Sequence, residues 1–295
     1  MRMLITGANG QLGRELIRQG RALNIGLHAF KRQELDITQP NQINTIVAKA
    51  SPSLVVNAAG YTNVDKAEAE ADLAFEVNKI APGYLARCCA DRNVAFIHIS
   101  SDFVFDGIKG KPYHETDPIA PLGIYGQSKA EGEAAIRSVL KNHIILRTSW
   151  LYSIYRHNFV KTMLDLGTQK KVIQVVADQF GSPTSAADLA ETVLTIAAKI
   201  GSAVDLDWGT YHYCGDGVTS WHGFAKEVLQ LAAPYVSLQT KHVEAITTAE
   251  YPTPAKRPPY SALDCSRIKK AFGIAPRPWQ QSLKRTIARL FSENK

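Results

Sequence analysis

The most constraining feature of this sequence is an alternation of short apolar segments with helix-like segments over its first 150 residues. Apolar runs bounded by turn residues, with helical sequence between them, are typical of strands joined by crossover helices. The run at 54–60 is apolar at nearly every position, as a strand buried on both faces requires. We therefore predict an α/β fold with a doubly wound parallel sheet. The predicted strands cover residues 3–5, 25–30, 54–60, 94–102 and 143–150.

The first predicted strand runs directly into a glycine-rich turn and then a helix. The glycines are spaced Gly-x-x-Gly-x-x-Gly, and not in the commoner Gly-x-Gly-x-x-Gly pattern of dinucleotide sites. Glycine allows a tight turn and lets a ligand touch the main chain, while free N–H groups at a helix start bind pyrophosphate. We therefore predict a Rossmann-type dinucleotide site at this turn. Its expected contacts are Gly7, Asn9, Gly10, Gln11, Leu12 and Gly13.

The tip of the second strand bears on the choice of cofactor. Phe30 is followed by Lys31 and Arg32, with no acid before Glu34. An acid at this point would bind the ribose hydroxyl of NAD, whereas cations suit the 2′-phosphate of NADPH. The sequence therefore favours NADPH, with NADH as the alternative. If Lys31 and Arg32 only face solvent, this preference has no basis.

Two further segments complete the predicted cofactor site. Asp36, next to Ile37, could accept a hydrogen bond from the adenine amino group or cap the helix that follows, and the sequence does not separate these roles. The third strand ends in small residues, which let a cofactor lie against the main chain. The contacts expected there are Ala58, Ala59, Gly60, Tyr61 and Thr62.

A tyrosine and a lysine four residues apart, Tyr125 and Lys129, lie in a segment rich in helix formers and so share one helix face. An ammonium beside a phenol favours the phenolate and lowers its pKa from about 10, which suits proton transfer to a developing oxyanion. Ser101 and Asp102 end the fourth strand, where parallel sheets bind ligands. The simpler alternatives are an ordinary amphipathic helix for the pair, and turn or cap residues for Ser101 and Asp102.

Composition excludes several classes of protein. The net charge is +7, but the cations are scattered among acids, so nucleic-acid binding is not expected. No apolar run reaches the ~20 residues of a membrane span, and the N-terminus leads straight into a strand with no signal peptide. Four cysteines, two of them adjacent at Cys88 and Cys89, form no metal or disulfide pattern. We therefore expect a cytoplasmic protein with reduced thiols.

The second half is less regular. We predict a strand at 172–176, a helix at 185–199 capped by Ser185, and a helix at 221–233. Residues 251–260 are too rich in proline for regular structure, and form either a stiff linker or a rigid loop from which Arg257 binds a phosphate. We assign residues 1–150 to the cofactor domain, with about 172–200 returning to it, and 151–295 mainly to a smaller, partly interleaved substrate-binding subdomain.

Together these motifs resemble the extended short-chain dehydrogenase/reductase family over nearly the whole chain. The segments that carry the resemblance are 7–13, 57–68, 100–105, 147–150, 178–184 and 251–258. The resemblance implies that NADPH reduces the C4 keto group of a nucleotide-linked 6-deoxy sugar, with Tyr125 as proton donor. It further implies that Ser101 orients the carbonyl, and that Lys129 lowers the tyrosine pKa and holds the nicotinamide ribose. The implied substrate contacts are Ser101, Asp102, Phe103, Tyr125, Trp150, Asn158 and Arg257.

Related enzymes and assemblies give the alternatives. Nucleotide-sugar 4,6-dehydratases of this family place an Asp-Glu pair directly after the hydroxyl residue, whereas here Phe103 follows Asp102. A reductase is therefore favoured over a dehydratase or 4-epimerase, and over a non-catalytic regulatory subunit because the triad and the glycine turn are intact. Some members dimerise around a carboxylate-bound metal. Glu15 is present here, but Ala187 stands where a second carboxylate is expected, so we predict no metal and leave the oligomeric state, including a homodimer, open.

Overall fold

The computed structural model describes residues 1–202 and 206–293. Within them a six-stranded parallel sheet carries helices on both faces, and shorter strand pairs form a second portion beside it. The strands are β1 (Arg2–Thr6), β2 (Gly26–Phe30), β3 (Leu54–Asn57), β4 (Ala95–Ser101), β5 (His143–Thr148), β6 (Leu151–Tyr152), β7 (Val172–Val176), β8 (Phe180–Gly181), β9 (Thr184–Ser185), β10 (Gly209–His212), β11 (Thr219–Ser220) and β12 (His242–Ile246). The α-helices are α1 (Gln11–Ala22), α2 (Pro40–Ala50), α3 (Val64–Ala67), α4 (Ala71–Phe75), α5 (Ala81–Ala90), α6 (Ile124–Val139), α7 (Phe159–Gly167), α8 (Ala186–Gly201), α9 (Trp221–Ala232), α10 (Ser266–Phe272) and α11 (Trp279–Ser292).

The main sheet has the strand order β2-β1-β3-β4-β5-β10, and every neighbouring pair is parallel. The predicted doubly wound, Rossmann-type α/β fold is confirmed. The order reverses beside β1, so the switch point at which such sheets bind ligands lies between β1 and β3. Strand β10 had no counterpart among the predicted strands, because it comes from the second half and is only four residues long.

Both faces of the sheet are covered by apolar side chains. Met3 and Ile5 pack with helices α1 and α8 on one face, while Leu4, between them, packs with α2 and α5 on the other. All three side chains are fully buried. This alternation follows from the two-residue period of a strand, and it explains why the parallel strands are apolar throughout.

The helical segment between β3 and β4 is interrupted. Five residues, Glu76–Ile80, form a π-helical turn between α4 and α5. Such a turn adds a residue to the helix and often marks a functional site. Its third residue, Asn78, is fully buried and points toward the edge of the sheet that carries the site.

The second portion is built from short pieces. Strand β7 pairs in parallel with β12 and not with the main sheet. Helix α8, which also lies in the range 172–200, packs against α1 beside that sheet. Ser185 accepts a hydrogen bond from the main-chain N–H of Ala187 and so caps α8, as the sequence suggests. The proline-rich stretch 251–260 contains no helix or paired strand longer than a single bridge.

No helix in the parts of the chain that the structure describes is long and apolar enough to span a membrane.

Candidate active site

The glycine turn lies at the switch point and is closely packed. Gly7 has a left-handed backbone with φ +70°, and a Cβ there would lie 2.7 Å from the main chain of Ala58 and Ala59. A Cβ on Gly13 would collide with the carbonyl oxygen of Gly7. Helix α1 begins at Gln11, and Gly10 before it supplies no side-chain cap. The first N–H groups of this helix therefore face the crevice, and a dinucleotide pyrophosphate fits them without a side chain in the way.

A groove of about 690 Å³ runs from this turn past the tip of β2. Its walls carry both apolar side chains and cations, with Glu34 as the acid among the lining residues. Such a surface fits the adenosine portion of a dinucleotide that carries an extra phosphate. The lining residues are Ala8, Asn9, Arg14, Ile17, Arg18, Arg21, Leu27, Ala29, Lys31, Glu34 and Tyr155.

The structure separates the two predicted phosphate-binding cations. Lys31 lines the groove, whereas Arg32 is largely exposed and forms an ion pair with Asp36 at 3.6 Å. Arg14 and Arg18, which the sequence reasoning did not include, line the same groove from helix α1. Their spacing of four residues on one helix face was the signal that could have identified them.

Asp36 does not cap α2, whose N-cap position is Gln39, and its contact with the adenine amino group stays a prediction. Its carboxylate accepts hydrogen bonds from the main-chain N–H and the hydroxyl of Thr38, at 3.0 and 2.9 Å, and so closes a turn before α2. These bonds and Arg32 hold the pKa of Asp36 below its usual value, against the opposing effect of burial. Ile37 is buried in the apolar core, and the carbonyl of Phe30 accepts from the N–H of Ala8, so these two residues shape the groove through packing and main chain.

The end of β3 is held to helix α6 by Asn78. The Asn78 side chain accepts from the N–H of Tyr61 at 2.9 Å, donates to the Tyr61 carbonyl at 3.0 Å, and donates to the hydroxyl of Ser128 at 3.1 Å. Gly60 lies between this amide and Lys129, since a Cβ on Gly60 would be 4.0 Å from the lysine Nζ. The sequence reasoning missed Asn78, because the π turn that turns it inward leaves no pattern in the sequence.

Ser101 and Asp102 lie at the carboxyl edge of β4. The Ser101 hydroxyl accepts from the N–H of Phe103 at 3.2 Å and donates to the Asp102 carboxylate at 3.1 Å. Asp102 is only 3% exposed, and its Oδ2 atom has no partner among the described residues. Burial raises the pKa of this carboxyl to about 6, although the hydroxyls of Ser261 and Ser101 lower it. Near neutral pH its charge can therefore change with small shifts in its surroundings.

Tyr125 stands in the first turn of α6, facing Ser101. Burial of the phenol raises its pKa to about 12; the nearby Ser101 hydroxyl lowers it, and the Asp102 carboxylate raises it. The sequence prediction that Lys129 lowers the tyrosine pKa is therefore wrong for the protein alone. Desolvation of the phenol dominates, and the ammonium bonds elsewhere. Tyr125 is consequently fully protonated at neutral pH.

Lys129 is buried one helical turn further along α6. Its Nζ donates to the main-chain carbonyl of Ile99 in β4 at 2.6 Å. Burial lowers the pKa of this ammonium to about 8, and the negative charge of Glu133 opposes that effect. Ser101, Tyr125 and Lys129 thus come together at one edge of the sheet, next to the glycine turn, as the spacing of the residues suggests.

The predicted substrate contacts on the far side of the site are tightly packed. Phe103 packs edge-on against Tyr125, with 5.5 Å between ring centroids. Trp150, with a left-handed backbone at φ +47°, stacks on Trp221 with 3.5 Å between ring centroids, and a Cβ on Gly181 would lie 2.6 Å from its indole. Its predicted substrate contact stays a prediction.

Asn158 and Arg257 are both engaged within the protein. The Asn158 side chain caps α7 and donates to the Gln11 side chain at 3.2 Å, which links the second portion to the glycine turn. Arg257 donates to the Asp65 carboxylate at 2.8 Å, so the proline-rich loop is tied to the segment after β3. The predicted phosphate contact of this guanidinium stays a prediction.

Glu15 is buried and paired with cations. Arg18 approaches its carboxylate at 2.9 Å, and Arg289 binds it from α11. Among residues 1–202 and 206–293, no cluster of three or more His, Cys, Asp or Glu side chains is arranged to hold a metal. The absence of a bound metal stays a prediction.

Comparison with known proteins agrees with this geometry. A family model described as the RmlD substrate binding domain matches residues 1–292. A dTDP-4-dehydrorhamnose reductase of Aggregatibacter actinomycetemcomitans is 45% identical over 288 residues, which cover 96% of this chain and 97% of that protein. The crystal structure of a dTDP-4-dehydrorhamnose reductase from Clostridium acetobutylicum superposes with a TM-score of 0.92 at 39% identity, covering 98% of this chain and 99% of that one.

A second solved structure, the dTDP-4-dehydrorhamnose reductase of Bacillus anthracis in complex with NADP, has a TM-score of 0.89 and 36% identity over 98% of this chain and 99% of that one. The resemblance predicted from the motifs is confirmed. Since the family model and these relatives span almost the whole sequence, the chain belongs to the RmlD substrate binding domain family, which includes the dTDP-4-dehydrorhamnose reductases.

Proposed function

We propose that the protein reduces the C4 keto group of dTDP-4-dehydro-6-deoxy-L-mannose with NADPH, giving dTDP-L-rhamnose for cell-surface polysaccharide synthesis. The observation that carries this proposal is the whole-length relationship to dTDP-4-dehydrorhamnose reductases, combined with a hydroxyl, a phenol and an ammonium gathered beside a glycine turn. The proposed partner is a nucleotide sugar, in the cytoplasm, with a homodimer as the assembly to be tested.

The bound NADPH would supply a hydride to the carbonyl carbon. The glycine turn and the start of α1 would hold its pyrophosphate, and Arg14, Arg18 and Lys31 its adenosine end. Lys129 would contact the nicotinamide ribose, and the position of its Nζ near Gly60 at the end of β3 supports this role.

The protein's own groups would handle the oxygen and the proton. The Ser101 hydroxyl can release its hydrogen bond to Asp102 and donate to the substrate carbonyl instead. This new hydrogen bond would fix the carbonyl oxygen near Tyr125. Tyr125 is protonated at neutral pH, because its pKa is about 12. A developing alkoxide is a stronger base than a phenolate, so the tyrosine can protonate it without prior activation.

The surroundings of Tyr125 favour reduction over dehydration. Elimination of water from a sugar needs a second acid and base close to the triad. The residue after Asp102 is Phe103, whose apolar ring lies 5.5 Å from the Tyr125 ring. Asp102 is therefore the one carboxyl group of the pair that a dehydratase would use. A single proton donor with one orienting hydroxyl suits a simple ketone reduction.

The test is NADPH oxidation with dTDP-4-keto-6-deoxy-L-lyxo-hexose, made in situ from dTDP-glucose by the two preceding enzymes. Consumption of NADPH in proportion to the keto sugar, with dTDP-rhamnose as product, is expected. NADPH oxidation that needs no keto sugar, or a dehydrated or epimerised product, would contradict the proposal.

A further inference from the structure

A buried charged cluster lies behind the triad, and the proposed mechanism does not use it. The Glu133 carboxylate in α6 is fully buried. It accepts from the hydroxyl of Ser100 at 2.6 Å, from Arg147 Nε and Nη2 at 2.8 and 2.7 Å, and from Arg137 at 3.1 Å. A buried carboxylate is tolerated only when its oxygens are bonded, and here four donors satisfy it. The carboxylate is therefore held in one position between α6 and the sheet.

The Glu133 carboxylate is linked to the elements that carry all three catalytic groups. Glu133 follows Lys129 by four residues, and Lys129 follows Tyr125 by four, so the three share one face of α6. Ser100 directly precedes Ser101 on β4. The bond between Glu133 and Ser100 therefore joins the helix that carries the phenol and the ammonium to the strand that carries the hydroxyl.

The charges around Lys129 come from several elements. On β4, burial lowers the pKa of His98 well below its usual value, so this imidazole is neutral. On the turn after β4 stands Asp102, whose pKa is about 6. On the outer side of α6, Lys79 of the π turn pairs with Glu131 at 2.6 Å. Glu133 is the group that raises the pKa of Lys129 against its burial.

The charges around Glu133 leave its own ionisation secure. Hydrogen bonds and charge from Arg147 and Arg137 hold its pKa below the usual value, although burial acts in the opposite direction. His212 on β10 lies 3.3 Å from Arg147 and is neutral at working pH, because burial and Arg147 lower its pKa to about 3. Glu133 is therefore negatively charged at neutral pH.

Building on the proposed function, we infer that Glu133 is a positioning residue for catalysis. It holds the Tyr125–Lys129 face of α6 in register with Ser101, and it keeps the Lys129 ammonium charged so that this side chain can bind the cofactor ribose.

Two substitutions separate charge from hydrogen bonding. Glu133→Gln removes the charge and keeps the shape, whereas Ser100→Ala removes one hydrogen bond and keeps the charge. For both variants we measure the affinity for NADPH in the absence of sugar, using cofactor fluorescence from pH 6 to 10. We also measure kcat/KM over the same pH range. Glu131→Gln is the matched control, because it removes a carboxylate from the outer side of the same helix.

In the wild type, NADPH affinity is expected to fall as pH rises through about 8, where Lys129 loses its proton. Glu133→Gln should move this fall to lower pH by about one unit, so that affinity at pH 8 drops by up to about tenfold and affinity at pH 6 far less. Ser100→Ala should lower kcat at every pH without moving the fall, and Glu131→Gln should change neither. A Glu133→Gln profile with the wild-type midpoint would overturn the inference.

The variant protein needs a safeguard, because Glu133→Gln leaves the Arg147 guanidinium buried without its partner. The double variant Glu133→Gln with Arg147→Met removes both charges, and the same shift of the NADPH profile is expected from it. If neither variant folds, the carboxylate serves stability and the inference fails. A wild type that shows the NADPH transition near pH 8 but does not reduce the keto sugar would contradict the proposed function alone.

Discussion

The two walls of the active site are built differently. The wall formed by β4 and α6 is fixed by buried polar bonds: Glu133 to Arg147 and Ser100, Lys129 to the Ile99 carbonyl, and Asn78 to Ser128. The opposite wall comes from the second half. Its proline-rich loop is tied to the segment after β3 by the Asp65–Arg257 ion pair, whose side chains are 36% and 25% exposed.

This difference assigns separate tasks to the two walls. Proton transfer needs atoms held to within a fraction of an ångström, which buried bonds achieve. Binding and release of a nucleotide sugar need groups that can change partners, which a partly exposed ion pair allows because it contributes little stability. Substitutions in the first wall should therefore change kcat, and substitutions in the second should change KM.

The largest expected effect comes from Tyr125→Phe. Loss of the hydroxyl removes the proton donor and leaves the ring packed against Phe103, so kcat should fall by about 10²–10⁴-fold while the Kd for NADPH stays near the wild-type value. Steady-state kinetics and cofactor fluorescence measure the two quantities. Tyr84→Phe, at an exposed tyrosine of α5, is the control and should be silent. Turnover by Tyr125→Phe close to that of the wild type would remove the phenol from the mechanism.

The glycine turn offers the next effect. Gly7→Ala adds a Cβ at φ +70° that meets the Ala58 main chain at 2.7 Å, so we expect a loss of about 2–5 kcal/mol in unfolding free energy together with weaker NADPH binding. Gly110→Ala has a similar φ of +67° but no atom within 4 Å of the new Cβ. It should lose only the backbone term, about 1 kcal/mol, and bind NADPH normally. Equal losses in the two variants, measured by denaturant unfolding, would mean that the close approach of β1 and β3 is unimportant.

The sequence was informative where contacts are local or periodic. The parallel strands were predictable because burial on both faces makes them apolar, and Tyr125 and Lys129 come together because a helix brings residues four apart onto one face. Ser101 could be placed because a strand end sets the edge at which ligands bind.

The remainder depends on tertiary contacts. β7 pairs with a strand about 70 residues later, and no local pattern specifies that partner. The pKa of Tyr125 depends on how deeply the phenol is buried and where the Lys129 ammonium points, so the predicted direction was wrong. Asn78 is buried within a π turn, which no local sequence pattern marks.

For the second wall, Arg257→Ala should raise KM for the nucleotide sugar by about 10–100-fold with little change in kcat or in the Kd for NADPH, if the guanidinium binds the diphosphate. Asp65→Asn keeps the guanidinium and removes only its present partner, so its KM should change far less. Arg267→Ala, in another surface ion pair with Asp207, serves as the control. Equal increases of KM in Arg257→Ala and Asp65→Asn would show that the ion pair itself shapes the loop and that the arginine has no direct role in binding.

The smallest effect distinguishes the two cations after β2, which the sequence treats as equivalent. Lys31 lines the groove, while Arg32 pairs with Asp36 and is largely exposed. Lys31→Ala should therefore weaken NADPH binding by about twofold to fivefold and leave NADH binding unchanged, as a single exposed phosphate contact would. Arg32→Ala should alter neither Kd. Both Kd values are measured by fluorescence titration at about 0.05 M salt, where screening is weak, and at about 0.5 M salt. As salt rises, the wild-type ratio of the Kd for NADH to the Kd for NADPH should approach the ratio found for Lys31→Ala. If Arg32→Ala carried the larger effect, the loop after β2 would have to rearrange when the cofactor binds, and the cofactor side of the site would share the mobility assigned here to the sugar side.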